Sequence, residues 1–307
     1  MKAFIRTLNL KERKGFNYTL CYGLFLFLQL FFLKILLTQF QLSSYTVICL
    51  HGSIFSLICL FRIIIVIKKT SQKSKTINSK LIFSLSEFYE FLSFICLLLS
   101  LYWLNLTNLV LIIRFFPFLL IFIEYGYDMT NSEMTCFLTY ITVFLIIFLP
   151  SIGGFQIIGM IIGMLSVIGK ILSFKFWRNA IGLNIEIMLL GVGIFSIGFG
   201  GNLMIRFGKK QMEKITLKSW IFIILSSFLT YYKKIFFLKI MKNPKNIDKI
   251  ILVNSITYLI TIPIDLFMFN QTFGFRYLIL FLLFGNSILF GINVCKRSQL
   301  DKNLINI

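Results

Sequence analysis

Glu87 and Glu90 stand three residues apart inside an apolar stretch, which puts both carboxyls on one face of a helix. Carboxyls placed there could hold a proton or a cationic group. Arg114 interrupts another apolar run, and its planar fork could grip a carboxylate through two parallel hydrogen bonds. The bland alternative is a structural pair in which Arg114 and a glutamate neutralise each other. His51 is the one histidine of the chain. It could relay a proton, although a solitary histidine in an apolar helix more often serves packing through a hydrogen bond. Tyr89, Tyr102 and Trp103 could stack on a planar solute, and the last two equally suit an interfacial anchor.

Nothing else in the chain has the spacing of a reaction centre. Acids and histidine do not cluster as metal ligands or as an acid–base constellation. Cys21, Cys49, Cys59, Cys96, Cys136 and Cys295 lie in or at the ends of apolar runs, with no CxxC pair, and read as small hydrophobes. The stretch Gly198-Phe-Gly200-Gly201-Asn lacks the preceding strand and the following acid that a nucleotide loop requires. No catalytic residue, no metal and no cofactor is therefore expected, and the chain does not read as an enzyme.

The elements that must position these groups follow from composition. Of 307 residues, 58% are hydrophobic and 14% charged, with a mean hydropathy of +0.89; soluble domains run at roughly 45–50% apolar and 25% charged. Such a chain cannot coat a globule with polar surface, which excludes ordinary soluble enzymes, secreted disulfide scaffolds and nucleic-acid binders. The net charge of +20 then belongs to basic cytoplasmic loops rather than to a nucleic-acid contact. Alanine occurs only at Ala3 and Ala180 while Phe, Ile, Leu, Lys and Asn abound, the skew of an AT-rich genome.

A helix crossing about 30 Å of hydrocarbon needs about 20 apolar residues. By that measure ten spans are expected, near 17–38, 44–67, 81–103, 106–124, 134–151, 153–175, 180–206, 216–238, 248–269 and 274–295. With the N-terminus in the cytoplasm, 21 Lys and Arg fall inside and six outside, while Lys34, Arg62, Arg114 and Lys170 lie within spans. That bias puts both termini in the cytoplasm. The basic loop between the seventh and eighth spans runs against the rule. The first span is too long for a signal-peptide core and stays as an anchor. At ~1.5 Å per residue, Glu87 lies about 9 Å and Glu90 about 13.5 Å from the inner surface, and Arg114 about 12 Å from the outer one. These groups are expected to meet near the midplane. Lys34 and Arg62 sit near helix ends, where their charges should snorkel outward, Lys170 and Glu186 near the inner face, and Asp265 towards the outer one. Gly159-x-x-x-Gly163 carries a close-packing signature, and Gly191, Gly193, Gly198, Gly200 and Gly201 would let the seventh helix approach a neighbour or bend.

Ten spans divide as five plus five, at 1–151 and 152–307, and an odd-numbered unit repeated once must insert upside down the second time. Arg114 to Glu124 parallels Ile260 to Asn270: Pro117 and Pro263 each precede an apolar run that ends in a polar residue. The passage from Ser100 to Pro117, and that from Phe267 through Gln271 and Gly285 to Lys296-Arg297, resemble the third-to-fourth and ninth-to-tenth helix passages of the drug/metabolite transporter superfamily, EamA-type. The layout is most similar to its S-adenosylmethionine uptake type. The chain departs from that pattern at Gln271, where the family usually has a glutamate, and at His51, where an arginine is common. The resemblance implies an all-α polytopic membrane protein of ten helices in two inverted five-helix repeats, acting as a transporter.

The reading that follows is a carrier in the plasma (inner) membrane that moves a small polar metabolite, amino-acid-like or nucleoside-like, by alternating access. Its substrate would meet Arg114, Glu87, Glu90, His51 and Tyr89. The bilayer and the metabolite are the expected partners, without nucleic acid, and a homodimer is left open. The competing classes are an integral membrane enzyme and a structural subunit of a respiratory complex.

Overall fold

The computed structural model describes residues 10–67, 78–125, 130–148, 154–179, 185–207, 215–241 and 260–269, with 285, 286 and 289. Gln271, Lys296-Arg297, residues 68–77 of the second linker and nearly all of the expected tenth span lie outside them. The described chain is helical, with no strand among the described residues. Its helices are α1 (Leu10–Thr38), α2 (Ser44–Ile67), α3 (Asn78–Trp103), α4 (Leu106–Ile113), α5 (Phe115–Tyr125), α6 (Asn131–Phe148), α7 (Gly154–Asn179), α8 (Ile185–Phe207) and α9 (Leu217–Met241). A further helical stretch covers 260–268. Six of them, α1, α2, α3, α7, α8 and α9, are long and apolar enough to cross a membrane, and they make the chain a helical membrane protein.

The joints are built from local chemistry. α1 ends where the Phe40 and Leu42 amides turn back to the carbonyls of Ile35 and Leu36, at 3.2 and 3.1 Å, with Gln41 at a φ of 50°. Ser43 then caps α2 by accepting the Thr46 amide at 3.4 Å, and Asn105 caps α4 through the Asn108 amide at 2.9 Å. Thr130 and Glu133 exchange bonds of 3.3 and 2.9 Å in a capping box at the start of α6. The expected fourth span is two pieces rather than one helix, broken at Arg114. The cause is Pro117: it has no amide proton for the Ile113 carbonyl four residues back, so the ladder opens there.

The chain divides into two compact units, each drawn from both halves of the sequence. One comprises 1–24, 110–157 and 236–307, the other 25–109 and 158–235. In the first, Tyr140 is fully buried between the rings of Phe118 and Phe115, at 4.7 and 4.8 Å, and its hydroxyl donates to the Leu111 carbonyl at 2.8 Å. Phe237 packs against Tyr22 and Phe116.

Three antiparallel helix pairs make the second unit. α3 and α7 meet along a ladder of small polar residues spaced by seven. Ser86 donates to the Ser173 carbonyl at 3.1 Å, Ser93 and Ser166 each donate to the other's carbonyl at 2.8 Å, and Ser100 donates to the Gly159 carbonyl at 2.8 Å. A seven-residue repeat keeps one face of each helix on its partner over four turns. α2 and α8 approach more closely still. A Cβ at Gly200 would stand 2.6 Å from the Cys49 amide nitrogen, so only glycine permits the approach. α1 and α9 interlock through aromatic rings, Phe25 with Tyr232 at 6.3 Å and Phe32 with Phe222 at 5.4 Å. Of the glycines expected to serve packing, Gly159, Gly191, Gly193 and Gly200 do, whereas Gly198 faces open space.

Lys34 does not snorkel. It is 7% exposed, and its ammonium donates to the carbonyls of Leu101 and Leu104 at 2.8 and 2.7 Å. Those carbonyls belong to the end of α3, where the helix's own N–H donors have run out and the helix dipole favours a cation. Lys34 is thus a cap supplied by a neighbouring helix. Arg62 remains exposed and donates to the Tyr231 hydroxyl at 3.2 Å.

Candidate functional site

A buried polar cluster lies inside the second unit, fed by α1, α2, α3, α7 and α9. From α3, Glu90 reaches Lys234 of α9 with 2.5 Å between Oε2 and Nζ. The preceding residue on α9, Lys233, is 7% exposed and donates to Oε1 of Gln29 at 2.5 Å. Lys170 of α7 lies within electrostatic reach of Glu90, Lys233 and Lys234. Among the described residues, Glu90 thus lies within electrostatic reach of Lys170, Lys233 and Lys234.

His51 occupies the neighbouring position on α2. Its Nε2 lies 3.0 Å from the Thr230 hydroxyl, and its ring stacks on Phe94 at 4.7 Å. Thr230 gives its one proton to the Ser226 carbonyl at 2.7 Å, so its oxygen accepts from Nε2–H. Ser226, Ser227, Thr230, Lys233 and Lys234 all point inward because α9 repeats every three to four residues.

Glu87 is also buried, one turn before Glu90, but it faces α8. A Cβ on Gly191 would overlap its carboxylate, so the glycine forms the notch that receives it. Oε1 of Glu87 has no hydrogen-bond partner among the described residues. Tyr89 stacks flat on Phe176 at 5.6 Å with 3° between the rings. Tyr102 is exposed, as an anchor at the membrane boundary would be.

The structure thus brings Glu90 and His51 to one cluster and places Glu87 and Tyr89 on the same helix beside it. Arg114 belongs to the first unit. It is 1% exposed, and its guanidinium carbon lies 5.9 Å over the centre of the Tyr140 ring. Asp265 is likewise fully buried in that unit.

The residues that sequence reasoning missed are Lys233 and Lys234. Counted among the 21 inner cations, they belong inside α9 instead. The signal was present: apolar Ile235, Phe236, Phe237 and Leu238 follow the pair, so the span continues past it. Lys170, expected near the inner face, is half-buried within electrostatic reach of the same groups.

No family model matches the chain, and no curated protein matches it. Eleven chains of known structure do. One, described only as "Crystal structure of protein", is similar with a TM-score of 0.53 at 8% identity, over 89% of this chain and 96% of that one. At that identity the likeness speaks for the fold alone.

Proposed function

We propose that the chain is a membrane carrier that moves a small polar metabolite by alternating access. The observation that carries this reading is the charged cluster of Glu90, Lys170, Lys233 and Lys234, held inside a bundle of apolar helices. A charge at the centre of a membrane helix costs roughly 2.5–3.5 kcal/mol on insertion scales, and such residues typically line solute and ion paths. A structural role needs one pair, and here Lys233 and Lys170 stand within electrostatic reach of the Glu90–Lys234 pair. Ammonium, carboxylate and imidazole side by side, walled by Phe94 and Phe55, suit an amino-acid-like or nucleoside-like solute bearing charge and a planar part.

The helix pairings support the inverted repeat on which such carriers are built. In the ten-span scheme α3 and α7 are the third and sixth spans, α9 and α1 the eighth and first, and α2 and α8 the second and seventh. Exchanging every span for the one five places away turns the first pair into the second and the third into itself. A repeat of 1–151 by 152–307 requires that pattern. The same reading takes the EamA-type plan, with a plasma (inner) membrane location and both termini in the cytoplasm inferred from the resemblance and the basic bias.

The test is an uptake screen in cells expressing the chain, with radiolabelled amino acids and nucleosides offered one at a time. The expected result is uptake of a charged solute that Lys233→Ala abolishes at equal membrane abundance. Membrane-inserted, folded protein that moves none of these solutes would contradict the reading.

A further inference from the structure

Around Lys233 the donors exceed the acceptors. Gln29 is fully buried, and because an ammonium can only donate, its amide must turn Oε1 towards Lys233. Its Nε2 is then fixed as a donor, and it has no hydrogen-bond acceptor among the described residues. Glu90, the one carboxylate in reach among the described residues, is engaged with Lys234 at 2.5 Å. Lys233 lies among Lys170, Lys234 and His51, none of which brings a negative charge. A buried amide donor without an acceptor costs about 1–3 kcal/mol, and an ammonium in surplus costs more. An anion entering at this point would take bonds from Lys233 Nζ and Gln29 Nε2 and offset the charge of Lys233.

We propose that Lys233 and Gln29 form the binding subsite for the anionic group, carboxylate or phosphate, of a small soluble solute. The subsite rests on the carrier reading for its purpose, but binding can be measured without transport. A soluble anion fits better than a lipid headgroup, since Gln29 and Lys233 are enclosed by helices rather than set on a lipid-facing surface. Glu90, beside them on Lys234, would set how many positive charges remain for the incoming group.

The experiment is thermal unfolding of the purified full chain in nanodiscs of phosphatidylcholine. Succinate, inorganic phosphate and adenosine monophosphate are titrated separately against sodium chloride at matched ionic strength. A ligand that binds only the folded state raises its melting temperature with concentration. The expected result is stabilisation by at least one of the three beyond chloride. Its apparent affinity should weaken roughly 10- to 100-fold in Lys233→Met and in Gln29→Leu, the range for losing a charge-assisted hydrogen bond. Lys239→Ala, an exposed change on the same helix, should respond like wild type. If Lys233→Met does not fold, Gln29→Leu carries the same comparison. No stabilisation beyond chloride, or a wild-type response in these variants, would overturn the subsite. Replacement of the effect by phosphatidylglycerol in the nanodisc would overturn the soluble solute. Failure of the carrier reading looks different: anions stabilise the protein and Lys233→Met weakens them, yet liposomes holding the chain take up none of the three.

Discussion

The Glu90–Lys234 pair illustrates how little room a buried charge leaves for error. Removing one partner of a buried pair strands the other and typically costs 3–5 kcal/mol, whereas removing both is often nearly neutral. Lys234→Ala should therefore lower the melting temperature and membrane abundance, and Glu90→Ala added to it should restore much of both. Detergent-solubilised melting curves of the single and double variants check this; a double variant as unstable as the singles' sum would mean the two groups are not coupled. Gly191→Ala is the second residue-scale test, because the added methyl occupies the Glu87 carboxylate's place. It should destabilise wild type by about 1–3 kcal/mol, the range for overpacking, and do so less in a Glu87→Ala background. At this scale the acids and the histidine were legible, because a charge in an apolar run stands out. Lys233 and Lys234 were not, because they lie close enough to a span's end to pass for loop cations. Only the inward direction of that helix face distinguishes the two.

Among the elements, the α3–α7 ladder was written in the sequence but needed the partner to be read. Ser86, Ser93 and Ser100 repeat at seven, as do Gly159, Ser166 and Ser173, and serine alone in apolar helices marks no particular neighbour. Hydrogen bonds between membrane helices average about 0.6 kcal/mol in double-mutant cycles. Ser93→Ala and Ser166→Ala should thus couple by about that amount, while Ser166→Leu should be far worse because its side chain enters the contact. A coupling of zero in unfolding cycles would reduce the ladder to close packing. The lengths of α1, α2, α3, α7, α8 and α9 were legible too, from apolar runs. The break at Arg114 was not foreseen, although Pro117 foretells it once the missing amide is traced to the Ile113 carbonyl.

Over the whole molecule, the class of protein followed from composition alone, since no arrangement of so apolar a chain can face water throughout. How the spans pair could not follow, because apolar faces rich in Phe, Leu and Ile fit many partners equally well. The expected ten spans and the basic bias together predict sidedness. Single cysteines placed in residues 68–77 of a cysteine-free variant should react with an impermeant thiol reagent only from the cytoplasmic side. Labelling of that loop in intact cells would reverse the topology.

The central claim is that a buried charged cluster in a membrane bundle serves to move a solute. Uptake by the purified chain alone, reconstituted into liposomes and offered labelled amino acids, nucleosides and their anionic forms, tests it most directly. The account predicts saturable accumulation of a charged solute, lost in Lys233→Ala and in the Glu90→Ala/Lys234→Ala double variant at equal protein content. Folded, reconstituted protein that moves none of these solutes, or uptake unchanged in those variants, would contradict it.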